Sequence, residues 1–464
     1  MDDLQSTVID GGYCVGCGAC AYAEPDCYEM VVSEDGRWQA RRKPSAQSDK
    51  EEALRQVCPF SQEGPDEDQV AELHYAANAA LDPAIGYHRD CFAGSVVEGV
   101  FRHEGSSGGL TSWLLYELLA KGKVDGVIHV GSGTTTDERF SYSISTSLPE
   151  LVGRAKSRYY PVEMSSVLTE INRLEGVYLL VGLPCFIKAV RRLELAGYIV
   201  SGKIRYTAAL VCGHLKSKRF SSYLLKHMEV DSVKVNELDY RHKFPGRPAN
   251  EYGVAATTSA ETETMPMDQV YGANWSFGFF KYESCDYCDD VIGECADISF
   301  GDAWLSEYVS DSSGTNIVVV RTRELSNLLN KASEEGRIRL EKVTASKVYE
   351  SQEGGYRHRR EGLAYRLHLK DAAMLWRPKK RIIASDAGIP DGRKRLYELR
   401  MALALTSSQC AVDDESLDTF RSRVSEMVGE YESIEQKEGA GLKTIQRRVL
   451  AKLRRLLKRL VPDG

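Results

Sequence analysis

Residues 14–20 read Cys14-Val15-Gly16-Cys17-Gly18-Ala19-Cys20, and further along the chain stands Cys58-Pro59. Three cysteines at this spacing cannot all bridge one another. In a glycine-loosened loop their thiolates can instead converge on one centre, as they do at three corners of an iron-sulfur cluster. In the bacterial cysteine run of this kind the fourth cysteine, followed by proline, serves a second cluster; here that slot is Glu24-Pro25. The spacing therefore predicts a single 4Fe-4S cluster in this part of the chain, held by Cys14, Cys17, Cys20 and Cys58. Cys27 competes as the fourth ligand but lacks the following proline. A zinc knuckle and a disulfide framework are the alternatives, although zinc sites normally pair two CxxC or CxxC/His units.

A chain of 464 residues is long enough for two or three domains with a sizeable core. Its twelve cysteines are too sparse for a disulfide scaffold, yet several stand at metal-ligand spacings, which points to metal or redox chemistry. The formal net charge of -7 argues against nucleic acid as the main partner. No run reaches the ~18 to 20 apolar residues of a membrane helix, and the first residues have neither the basic flank nor the apolar stretch of a signal peptide. The expectation is a soluble, cytoplasmic protein.

Beyond a small cluster domain at 1–75, Glu63, Asp66, Glu67 and Asp68 read as an exposed acidic connection. A Pro/Gly-containing link follows at 82–89, and an α/β pattern starts at 96–101. Gly105-Ser106-Ser107-Gly108-Gly109 leads into a predicted helix over 110–119. Strands are expected at 124–130, 177–181, 206–211 and 316–320, with helices at 162–174 and 187–195. This alternation predicts a mostly parallel sheet flanked by helices, with an irregular or antiparallel insertion at 233–270. Cys185 and Cys212 fall just past strand ends, the edge where open α/β sheets bind ligands. The tail after 352 reads as helical, over 361–376 and 395–405. Leu442, Ile445, Val449, Leu453, Leu456 and Leu460 then form a stripe on a basic amphipathic helix. That geometry suits an anionic membrane surface, or packing on the body or on a second subunit.

Cys285 and Cys288 form a CxxC, which alone fits a redox disulfide, half a zinc site or half a cluster. Four thiolates would be complete if the sheet brought Cys185 and Cys212 beside them, with Cys295 as an alternative ligand. Taken singly, a strand-end cysteine is more often a small buried core residue, and Cys91 and Cys410 are read that way. The glycine-rich turn at 105–109 places backbone N-H groups at a helix start, where they suit a phosphate or the polar edge of a flavin. There is no GxGxxG after a strand and no Walker sequence. Cluster chemistry needs a partner that joins one-electron to two-electron steps, and a flavin is the natural one. His103 and His129 read as ordinary polar residues, and His214, directly after Cys212-Gly213, is the candidate proton donor.

Taken in order, the CxxCGAC start, Gly105-Ser-Ser-Gly-Gly-Leu-Thr111, Lys156-Ser157-Arg158-Tyr159, Val181-Gly-Leu-Pro-Cys185, Val211-Cys212-Gly213, Cys285-x-x-Cys288 and Ala296-Asp-Ile-Ser-Phe-Gly-Asp-Ala-Trp304 resemble the coenzyme F420 hydrogenase/dehydrogenase beta-subunit family over about 10–350. The resemblance implies an iron-sulfur flavoprotein with two 4Fe-4S clusters and FAD. It implies that Cys185, Cys212, Cys285 and Cys288 hold the inner cluster, and that Ser107, Gly108, Gly109, Thr111, Lys156 and Ser157 line the flavin. Asp297 and Asp302 lie in the family's late motif, as backbone-fixing or flavin-contacting residues.

The fold it implies is α/β with α+β elements. A truncated ferredoxin-like domain (1–75) would precede a mixed α/β FAD and iron-sulfur domain (85–350) and a helical tail (351–464). The implied function is an oxidoreductase that relays electrons between clusters, FAD and a substrate, with ferredoxin or coenzyme F420 as redox partner. The long tail resembles that of bacterial homologues associated with polysaccharide biosynthesis. Alternatives are a non-catalytic electron-transfer subunit of a larger complex, and a zinc-stabilised interaction protein. Peripheral contact with the inner membrane face and self-association both fit the tail.

Overall fold

A computed structural model describes residues 3–46, 48–135, 138–410 and 416–460, with side chains described except those of 48, 134, 135 and 439–460. Eight strands form the central sheet: β1 (Asp90–Val96), β2 (Gly126–Thr135), β3 (Glu138–Ser145), β4 (Tyr178–Gly182), β5 (Ile204–Leu210), β6 (Ile298–Asp302), β7 (Asn316–Val320) and β8 (Ile338–Lys342). Their order is β8-β1-β7-β6-β5-β4-β2-β3. The pairs β2 with β4, β4 with β5 and β5 with β6 are parallel. The other four pairs are antiparallel, which corrects the expected mostly parallel sheet to a mixed one. The reason lies in the connections: the two residues between β2 and β3 admit only an antiparallel return, whereas parallel neighbours need a long crossover.

The expected start at 96–101 is also displaced. The strand is Asp90–Val96, and Phe101–Glu104 is a helical turn. Ala93, Gly94 and Ser95 have weak strand propensity, so burial between neighbouring strands, not composition, makes this segment a strand.

Both faces of the sheet are covered, which is why β4 and β7 are buried throughout and, Asn316 apart, apolar. On one face α1 (Leu110–Ala120) packs Leu110, Trp113, Leu114 and Leu118 against Phe92, Val127, Leu179 and Val318. On the other, α2 (Pro184–Leu195) opens with proline at its first position, where the missing N-H costs nothing. It buries Phe186, Ile187, Val190 and Leu193 in a core that also takes Leu4, Val8, Leu54 and Val57 from the N-terminal unit. That unit is a short hairpin, Tyr28–Val32 with Trp38–Arg42, followed by the helix Glu51–Val57.

The acidic connection is exposed only in part: Asp68 faces solvent and Glu63 and Asp66 are half-buried, but Glu67 is not exposed. Asp66 caps the helix Glu67–Tyr75 with a capping box. Glu67 is only 5% exposed, accepts from Lys188 Nζ at 3.0 Å, and so ties the N-terminal unit to α2. The 233–270 insertion is a three-stranded antiparallel sheet, Glu237–His242, Gly253–Thr257 and Thr262–Pro266.

In the tail, α3 (Glu361–Ala372), α4 (Asp391–Gln409) and α5 (Leu417–Leu460) return over the body. Leu363, Leu367, Leu399, Leu403, Phe420 and Val424 enter the core shared by α2 and the N-terminal unit. The predicted leucine stripe at 442–460 falls within α5, where side chains lie outside the described residues. Among the described residues no helix is long and apolar enough to cross a membrane.

Candidate functional site

Cys14, Cys17, Cys20 and Cys58 line one cavity. Gly16 and Gly18 adopt the left-handed region (φ 68° and 83°), which turns the loop tightly enough for the three leading sulfurs to face inward. A Cβ on Gly16 would stand 2.4 Å from the Trp38 carbonyl oxygen. Cys58 arrives at the end of the helix Glu51–Val57, its N-H donating to Leu54 O, in the extended conformation that the following proline favours. The Cys14 sulfur accepts from Gly16 N at 3.4 Å and Ala40 N at 3.5 Å. Leu4, Val8, Ile9, Met30 and Phe60 complete an apolar wall. Cys27 is buried outside this cavity.

Cys185, Cys212, Cys285 and Cys288 line a second cavity. Cys185 lies in the first turn of α2 and Cys212 two residues past β5. Cys285 sits in the short helix Glu283–Tyr287, with Cys288 just after it. Pro184, Leu215, Asp290 and Arg359 complete the lining, and Val15 and Phe60 belong to both cavities, so the two sites share a wall. Cys295, Cys91 and Cys410 are buried elsewhere in the core.

Burial pushes every one of these eight thiols with a resolved shift upward, Cys58 and Cys285 to about 11 and Cys212 to about 12. Four thiolates in such a cavity require a cationic group among them, and a metal supplies it. Among the described residues no three His, Cys, Asp or Glu side chains are grouped closely enough for a single metal ion. Four cysteines lining one cavity are a donor set that an iron-sulfur cluster or a zinc ion takes.

The glycine turn, beside Val96 at the carboxyl end of β1, meets the Lys156-Ser157 segment. Ser157 N donates to Ser106 Oγ at 2.8 Å. Gly109 caps α1 in the left-handed region, and a Cβ on Gly108 would meet Gly94 O at 2.6 Å. Ser107 is buried, its hydroxyl donating to Thr315 O, and Thr111 stands half-buried in the first turn of α1. Lys156, itself left-handed at φ 84°, pairs with Asp239 at 3.1 Å.

Sequence reasoning missed Lys243 and Arg241, which no motif marks. Lys243 Nζ donates to Arg102 O and Ser107 O, and burial together with Lys156, Arg102 and Arg241 holds it down to about 8. Arg102 Nε, Arg241 Nε and Arg158 Nε and Nη1 are buried donors without partners. Lys156, Arg241 and Arg102 also pair with Asp239, Asp302 and Asp311, but the N-H donors left over beside them fit a phosphate-bearing anion.

An aromatic path joins this cation cluster to the inner cysteines. Arg241 donates to Tyr159 Oη at 3.3 Å, Tyr159 meets Trp275 at 4.8 Å, and Trp275 meets His214 at 4.5 Å, two residues from Cys212. Burial, then Lys216, Arg400 and Lys281, holds His214 well below its ordinary value, so near neutral pH the ring is uncharged. Asp302 accepts from Arg241 at 2.9 Å beside the cluster of cations. Asp297 binds Thr207 N, Thr207 Oγ1 and Arg191 and fixes the strand start instead.

Two family profiles match the chain, both describing the beta subunit of coenzyme F420 hydrogenase/dehydrogenase. The profile of its N-terminal part matches residues 91–169 and that of its C-terminal part 176–346, together just over half of the chain. An uncharacterized protein of Methanocaldococcus jannaschii is 24% identical over 256 residues, 54% of this chain and 87% of that protein. The coenzyme F420-dependent sulfite reductase of the same organism is 23% identical over 363 residues, 72% of this chain; the chain thus spans 48%, about half, of that relative. A chain of the F420-reducing hydrogenase complex from Methanosarcina barkeri superposes with a TM-score of 0.47 at 19% identity, covering 60% of this chain and 92% of that one.

Proposed function

From the premise that the chain belongs to the coenzyme F420 hydrogenase/dehydrogenase beta-subunit family, an oxidoreductase family, we propose that it is an iron-sulfur flavoprotein passing electrons between an external redox protein and a small substrate. The observation that carries this reading is the pair of four-cysteine cavities with Val15 and Phe60 between them. Clusters bound there would supply single-electron exchange, and FAD the change between one-electron and two-electron chemistry. Cys14, Cys17, Cys20 and Cys58 would hold the outer cluster, and Cys185, Cys212, Cys285 and Cys288 the inner.

Ser107, Gly108, Gly109, Thr111, Lys156 and Ser157 would shape the flavin cradle. Lys243 and Arg241 would neutralise its phosphates, and left-handed Gly109 would let the backbone approach closely. Coenzyme F420, named in the sulfite reductase relative, is the first substrate to try, reduced ferredoxin the first donor, and sugar-linked compounds the next substrates.

Anaerobic purification followed by iron, sulfide and flavin determination tests the reading. About eight irons and one FAD per chain support it. Zinc without flavin overturns it. With both cofactors present, no change in coenzyme F420 absorbance under any donor removes that substrate.

A further inference from the structure

Residues 353–431 lie beyond both family matches, and they bring to the inner cavity the one cation that lines it among the described residues. The helix Glu353–Arg359 ends with Arg359, 4% exposed, against the inner cysteines. Its Nη2 donates to Cys212 O and Gly213 O, each at 2.7 Å, so the guanidinium is anchored by the backbone that carries one of the thiols. Its Nε has no hydrogen-bond partner, its guanidinium reaches the Cys288 side chain, and no carboxylate pairs with it among the described residues. Leaving a charged group dry and unpaired is costly.

The neighbouring cations are otherwise engaged. Lys281 pairs with Asp286 at 2.5 Å, and Arg400 donates to Ser276 O and His358. Asp290, the cavity's one carboxylate, is tied down by the backbone N-H groups of Ile292, Gly293 and Glu294.

We propose that Arg359 is a positioning residue which raises the reduction potential of a cluster held by Cys185, Cys212, Cys285 and Cys288. The inference rests on the reading above. Adding an electron makes a thiolate-bound cluster more negative, and a fixed cation in a low-dielectric pocket favours that state. The tail is then part of the redox apparatus of this chain, setting a property that the matched segments leave open.

The test is an EPR-monitored redox titration of the anaerobically purified full chain. The couple lost in Cys285→Ala/Cys288→Ala is assigned to the inner site. Arg359→Gln keeps a donor for the two carbonyls but removes the charge. It should lower the inner couple's reduction equilibrium about tenfold, or about 59 mV for one electron. Arg359→Lys should retain most of the potential, and the outer couple should stay in place in both. An inner couple unmoved by Arg359→Gln, or both couples moved equally, overturns the proposal.

Should Arg359→Gln fail to hold iron, pulsed EPR on wild-type protein carrying 15N-labelled arginine decides. A guanidinium nitrogen coupling at the inner signal supports the placement, and its absence overturns it. Wild-type protein that holds only about four irons per chain and shows a single couple, unchanged in Cys285→Ala/Cys288→Ala, instead removes the two-cluster reading and this proposal with it.

Discussion

The two cysteine cavities share a wall but are built in opposite ways. Three of the four outer thiols come from one loop whose two left-handed glycines aim them, with apolar side chains and backbone amides around them. The inner four come from the start of α2, the end of β5 and the CxxC, gathered by sheet topology and faced by a charged side chain from the tail. An arginine also touches the outer set, Arg192 donating to Cys58 O, but it stands outside the cavity with Glu67 close by to balance it. The lesson is that a local turn fixes thiol geometry almost by itself, whereas a site assembled across the fold must also have its electrostatics supplied from elsewhere.

The sharpest way to break the comparison is to remove each set separately. Cys285→Ala/Cys288→Ala should drop iron from about eight to about four per chain while leaving the outer cluster's signal intact. Cys14→Ala/Cys17→Ala should do the reverse. Loss of all iron in either variant would show that the two sites fold as one unit. A single-residue test of the same local turn is Gly16→Val, since its side chain would enter the Trp38 carbonyl in a conformation that β-branched residues avoid. It should cost about 1–3 kcal/mol and release the outer cluster first. Equal iron loss from both sites would mean that the turn does not act locally.

The same difference explains what the sequence made legible. That Cys14, Cys17, Cys20 and Cys58 would meet was readable because three of them stand in one short run, and proline after Cys58 set it apart from Cys27. Cys185 and Cys212 were readable only as strand-end residues, since convergence depends on the order β6-β5-β4, which no local pattern encodes. Arg359, Arg241 and Lys243 carry no motif; each matters through what packs against it. Glu67 looked like solvent-facing acid because its partner Lys188 is distant in sequence. The β1 strand hid behind small residues, and the mixed sheet behind helices that do mark parallel crossovers in its centre.

That distant pair offers a third experiment. Glu67 and Lys188 are both buried, so Lys188→Met leaves a carboxylate in the core and should cost about 3 kcal/mol or more, read by chemical denaturation. Arg381, whose guanidinium lies 3.7 Å from the same carboxylate, will blunt the loss. If the N-terminal unit is secured chiefly through this contact, the outer cluster should become labile before the inner. A stability loss without preferential loss of the outer cluster would assign the pair to the shared core instead.

The smallest expected effect concerns the cation cluster at the far end of the aromatic path. Lys243 is held down to about 8 by burial and by Lys156, Arg102 and Arg241. It is therefore charged at pH 7 and largely neutral at pH 9, still below the ordinary lysine value. An anion bound there favours the charged form, so its affinity should fall as pH rises through about 8. For one linked proton the limit is about tenfold per pH unit. The sign for the empty protein is opposite: the cost of burying the charge is present below pH 8 and relieved above it, because the unfolded chain then holds the extra proton. FAD retention should thus weaken between pH 7 and 9 while the apoprotein's stability rises from this group. Lys243→Met should flatten both trends. Retention that stays constant across that range, with Lys243→Met binding FAD as tightly as wild type at pH 7, would place the flavin phosphates away from Lys243 and leave the inner cysteines as the more tightly specified of the two ends of the path.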